Sequence, residues 1–220
     1  MSQWLKKVRV AVAVVFVFSI SFLFLDFGNI TPSGLRTLFV STQLVPSLTR
    51  TLIVFSGASI GVFFVLLLTI IFGRVYCSTI CPLGILQDFT IRIAQRVNRR
   101  RRFRFKKPFY SIHYVVFLFT LVFALSGSLV LLNLFEPFSN YGRILSNLVS
   151  PSVVLANNVL GNILGLFGLI FLFQIPLLHV SIISVLASLI FLGLVLYLSY
   201  NHGRLFCNLL CPAGALLGII

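Results

Sequence analysis

A chain of 220 residues that is 59% hydrophobic and 9% charged, with a mean hydropathy of +1.12, lies far from soluble usage. Soluble domains carry about 45–50% apolar and about 25% charged residues, so this composition excludes a water-soluble globular fold and indicates an integral membrane protein. The net charge of +14 is concentrated: the acids are Asp26, Asp88 and Glu136, and nine of the seventeen Lys and Arg fall between Arg92 and Lys107.

Lys6, Lys7 and Arg9 precede an apolar run from Val10 to Leu25. A membrane helix needs about 20 mostly apolar residues. No small-residue cleavage site follows the run, so it reads as a retained first span rather than a signal peptide. Asp26 to Arg50 contains Gly28, Pro32, Gly34 and Pro46, which break any long helix. That stretch is apolar enough to lie in the interface or dip into a bundle. Leu52 to Phe72 is the second expected span, and Gly57 and Gly61 are spaced for close helix approach.

The first cysteine motif follows directly. Pro82 then opens an expected amphipathic helix, basic from Arg92 onward, that should lie along the membrane surface. The run Arg99 to Lys107 reads as a cytoplasmic topology signal and a contact for anionic headgroups. A nucleic-acid partner is disfavoured, because only Phe103 and Phe105 interleave with these cations.

Phe109 to Leu134 is the third expected span; His113 near its start reads more readily as an interfacial histidine than as a ligand. Glu136 to Arg143 is expected as a loop on the far side. From Ile144 to Gly203 there is no Asp, Glu, Lys or Arg. Val180 to Tyr200 is taken as the fourth span. Pro151 to Leu178, with Asn157, Asn158, Asn162 and Pro176, is taken as interfacial or re-entrant, because a further crossing at Val153 to Phe173 would place the two cysteine motifs on opposite faces. The expected fold is an all-α integral membrane protein of about four transmembrane helices. These form two parallel two-helix repeats, residues 1–108 and 109–220, with interfacial or re-entrant helices added.

The repeats end in a stretch written twice. Gly73-Arg74-Val75-Tyr76-Cys77-Ser78-Thr79-Ile80-Cys81-Pro82-Leu83-Gly84 returns as Gly203-Arg204-Leu205-Phe206-Cys207-Asn208-Leu209-Leu210-Cys211-Pro212-Ala213-Gly214, and the two copies hold all four cysteines. On a helix, residues four apart share a face. Proline is best placed at the first helical position, so Cys81 and Cys211 should sit at helix N-termini, where the dipole and free N–H groups favour a thiolate. Arg74 and Arg204 add positive charge, and Tyr76 and Phe206 can shield the site from water. Four thiolates can hold a [2Fe–2S] or [4Fe–4S] cluster. A structural zinc site, a thiol–disulfide exchanger and inert buried cysteines are the other readings. The exchanger fits poorly, since its chemistry belongs on the oxidising outer side and the arginine block places the motif inside.

The paired Gly-Arg-x-aromatic-Cys-x-x-x-Cys-Pro-x-Gly motif resembles the membrane part of polyferredoxin-type, NosR/NapH-like 4Fe-4S binding proteins. Leu25-Asp26, Gln43 to Pro46, and Glu136 to Ser139 with Tyr141-Gly142-Arg143 add to the resemblance. It implies an electron carrier of the bacterial cytoplasmic membrane, with N-terminus and cysteine motifs on the cytoplasmic side. Cys77, Cys81, Cys207 and Cys211 would be the ligands, with a [4Fe–4S] cluster favoured, and Arg74 and Arg204 would tune its potential. The donor would be a quinol or a flavin, and the partner a soluble ferredoxin-like or flavin-bearing protein. Such relatives carry ferredoxin-like cysteine runs after the second motif. This sequence stops at Ile220 and reads as truncated before them, or as served by a separate subunit. The competing function is a membrane assembly or docking subunit that carries no electrons.

Overall fold

The computed structural model describes residues 3–26, 31–43, 45–47, 59–72, 76–97, 110–126, 130–166 and 181–219. Within them every regular element is helical, and no strand occurs. Among the described residues three helical stretches are long and apolar enough to cross a membrane, Lys7–Phe24, Pro137–Ile163 and Ile182–His202. They present large apolar side chains outward, Phe18, Phe22, Leu155, Ile183 and Ile190 among them. In water that exposure would be a liability. Against lipid it is the expected surface, because a helix satisfies its own backbone groups and needs no polar partner there.

Helix α1, Gln3–Phe24, contains neither Gly nor Pro and runs unbroken. Just past its end, the Asp26 carboxylate accepts from the Thr31 N–H at 2.9 Å and the Thr31 hydroxyl at 2.5 Å. Arg36 Nη2 stands 3.7 Å away on the same oxygen. That turn leads through Pro32 into α2, Ser33–Ser41. Helix α3, Ser59–Phe72, is the described part of the second expected span. A Cβ on Gly61 would come within 2.1 Å of the Ser41 carbonyl oxygen, so α3 touches the end of α2 where glycine permits it.

After the short α4, Tyr76–Thr79, helix α5 spans Pro82–Val97. It packs against α1, against Pro137–Ile144 and against Ile182–His202, burying Pro82, Leu83, Gly84, Gln87 and Ala94. In its first two turns Asp88 is the only charge, and the cations begin at Arg92.

The third expected span appears as α6, Tyr110–Leu125, and α7, Val130–Phe135. The loop expected at Glu136 to Arg143 is instead α8, Pro137–Ile144. Proline at a first helical position loses nothing, and the Asn140 amide donates to the Leu134 and Glu136 carbonyls at 2.5 and 2.9 Å. Helix α8 runs through a π-helical turn, Leu145–Val149, into α9, Ser150–Leu166. The first half of the stretch expected to be interfacial therefore continues a candidate span. Helix α10, Ile182–His202, is the last long element; Gly203 ends it at φ 76°, a conformation that favours glycine. Two short helices follow, α11, Leu205–Leu209, and α12, Pro212–Ile219.

Candidate functional site

Each cysteine motif folds locally in the same way. In the first, the N–H groups of Ile80 and Cys81 both donate to the Tyr76 carbonyl, at 3.0 and 3.1 Å, and Ile85 N–H donates to Cys81 O at 3.1 Å. In the second, Leu210 and Cys211 both donate to the Phe206 carbonyl, at 2.9 and 3.2 Å, and Ala215 N–H donates to Cys211 O at 3.1 Å. The two cysteines of a motif thus do not share one helix. The first lies in a short helical turn, and the second closes that turn just before a proline-led helix. Proline's missing N–H breaks the ladder at that point. A Cβ on Gly84 would stand 1.9 Å from the Cys77 carbonyl oxygen, and one on Gly214 would stand 2.3 Å from that of Cys207. Only a bare backbone lets each turn fold onto its own helix.

The structure brings all four cysteines into one buried core with Tyr76, Ile80, Leu83, Ala213 and Phe206. None is in a disulfide. Phe206 is 1% exposed and meets Phe191 edge-on, with ring centroids 5.6 Å apart. Tyr76 donates from its hydroxyl to Gln43 Oε1 at 3.3 Å, and Gln43 Nε2 donates to the Ile80 carbonyl at 3.4 Å. Gln43 therefore braces the first motif from outside it. Tyr76 is likewise buried, at 3% exposure.

Charge near the thiols comes from Arg204, which acts electrostatically on Cys207 and Cys77. Arg204 also forks onto Asp88, Nε to Oδ1 at 2.6 Å and Nη2 to Oδ2, and Arg9 stands 3.7 Å from the same carboxylate. The second motif has Gly218 at the place matching Asp88, so the duplicated pattern does not mark this acid. No local pattern shows a partner that lies 116 residues away. Gln87 was missed for the same reason: it is fully buried, and its Oε1 accepts from Cys207 Sγ at 3.3 Å. Arg74, the basic run Arg99 to Lys107 and the side chain of His113 lie outside what is described.

Burial and backbone N–H groups act on the thiols in opposite directions. Burial pushes Cys81 and Cys207 well above the usual thiol range, and their cysteine neighbours push the same way. Cys211 is held at about 12, by burial first and then by Cys77. The N–H groups of Ala213 and Gly214 pull Cys211 down, the latter 3.4 Å from its sulfur, but they do not win. Withdrawing a charge from water outweighs two hydrogen bonds, whereas a bound metal centre supplies the opposing charge directly.

The donor set can be tested against the groups four cysteines can hold. Among the described residues no three His, Cys, Asp or Glu side chains are grouped tightly enough to hold one metal ion. Four cysteines buried in one core, contributed in pairs by the two motifs, are the donor set that an iron–sulfur cluster uses. Residues 55–108 and 184–220, which contain the four cysteines, match the family described as a 4Fe-4S binding domain. No curated protein and no solved structure matches the chain.

Proposed function

We propose, from the match of residues 55–108 and 184–220 to the 4Fe-4S binding domain, that the chain is a membrane-bound electron carrier of the bacterial cytoplasmic membrane. The observation that carries this reading is the burial of Cys77, Cys81, Cys207 and Cys211 in one core. Each repeat, residues 1–108 and 109–220, contributes one pair. The four sulfurs would hold a [4Fe–4S] cluster, which supplies reversible one-electron chemistry when bound. The chain's own residues do the rest. Phe206, Tyr76, Ile80 and Leu83 exclude water, Arg204 offsets negative charge, and Gln43 fixes the first turn. The basic segment from Arg92 to Lys107 sets the cysteine side toward the cytoplasm, where a soluble ferredoxin-like or flavin-bearing partner would exchange electrons.

A cavity of about 810 Å³ supports a quinol as donor. Its walls include Arg143, Asn147, Ser188, Phe191 and Phe206, and Phe206 precedes a cysteine. A mostly apolar cavity with few polar groups suits a lipid-soluble ring bearing two oxygens. The test is anaerobic purification followed by iron and sulfide analysis and electron paramagnetic resonance of the reduced protein. The carrier should hold about four irons and lose its signal in Cys77→Ser. Colourless protein with four titratable thiols would instead make it a docking subunit.

A further inference from the structure

Two fully buried glutamines flank the cysteines, and they are used differently. Gln43 has partners at both ends of its amide. Gln87 has one: its Oε1 accepts a hydrogen bond from the Cys207 thiol at 3.3 Å, while its Nε2 is buried without a hydrogen-bond partner. The oxygen and nitrogen of a side-chain amide occupy nearly the same shape, so half a turn about the last bond exchanges them.

A cysteine that binds metal carries no proton, so Cys207 then has nothing to donate. The carbonyl oxygen of Gln87 would face a sulfur rich in negative charge. Turning the amide replaces that repulsion with an N–H donor and removes the orphaned N–H from its present place. The oxygen takes that place instead, and an under-satisfied carbonyl is the more tolerable of the two. We propose, resting on the reading of the quartet as a cluster site, that Gln87 donates an Nε2–H···Sγ hydrogen bond to Cys207 in the loaded protein and raises the reduction potential of the centre. Reduction adds negative charge, part of which falls on the ligand sulfurs, and hydrogen bonds to those sulfurs stabilise the reduced form. The arrangement is one-sided, because the position matching Gln87 in the second motif is Leu217.

The experiment compares wild type with Gln87→Met, similar in length and apolar, as anaerobically purified holoprotein titrated against potential with the signal read by paramagnetic resonance. Reduction should become about tenfold less favourable in the variant, a midpoint lower by about 59 mV for one electron. An unchanged midpoint at equal iron content overturns the proposal. A second measurement does not depend on the variant assembling. In wild type carrying ¹⁵N in glutamine side chains, the reduced signal should show nitrogen coupling, and the absence of any coupling overturns the proposal. Wild type that holds no iron defeats the cluster site itself, which is a different outcome from a cluster whose potential ignores Gln87.

Discussion

Arg204 and Asp88 meet through two hydrogen bonds across 116 residues of chain, joining the second cysteine motif to the helix that follows the first. Both side chains are less than a third exposed, so the pair is only partly screened. Planar, bidentate pairing of this kind is stronger than a point contact. Asp88→Asn should cost about 1–3 kcal/mol and lower the melting temperature in detergent. A double-mutant cycle with Arg204→Gln checks the cause. If the two substitutions simply add, the pair is idle and the stability comes from elsewhere.

The four cysteines should be interdependent. Replacing any one, Cys211→Ser for example, should remove most of the bound iron and visible absorbance, because the remaining three sulfurs line a buried core built for four. Iron per chain, measured on anaerobically prepared protein, reads this directly. A variant that retains wild-type iron would mean that residue is not a ligand.

Glycine has different uses in different places. Gly84→Ala puts a methyl group against the Cys77 carbonyl at 1.9 Å, a backbone atom that cannot give way, so a loss of about 3 kcal/mol or more is expected. Gly34→Ala meets nothing within 4 Å and should stabilise the protein by about 0.4–1 kcal/mol. Melting temperatures of the two variants should move in opposite directions.

Glu136 gives stability a pH dependence. Burial lifts its carboxyl from the ordinary 4.5 to about 7, against the pull of the Ser139 hydroxyl and the Arg143 charge. The folded protein therefore keeps a proton that the unfolded chain releases near 4.5. Where the folded state binds more protons, stability falls as pH rises. This contribution is full below 4.5 and is lost as pH climbs through about 7. Melting curves between about pH 5 and pH 8 should show the decline, and Glu136→Gln, neutral throughout, should flatten it.

How far the sequence foretold this arrangement depends on the range of each signal. The proline-led helices at Pro82 and Pro212 and the pairing of aromatic with cysteine were readable, because proline and the duplicated motif act within a few residues. The same local logic misread Glu136-Pro137, where proline opens a helix as readily as it marks a turn. Nor could it show the burial of the sulfurs, which depends on Phe206, Leu83 and other residues brought in from elsewhere. Asp88 and Gln87 gave no sign, because what they touch is a fold away.

The π-helical turn at Leu145–Val149 makes one rod serve two neighbours. Ahead of it Tyr141 shares a 2.8 Å hydrogen bond with Ser21 on the first helix. Within it the Asn147 amide donates to Ser188 Oγ at 2.9 Å on the last long helix. Each helical residue advances the azimuth by about 100°, so deleting Ser146 would leave the Tyr141 anchor in place while swinging Asn147 away from Ser188. The surplus residue acts as a phase shifter, and the bundle stays in register only while it is present.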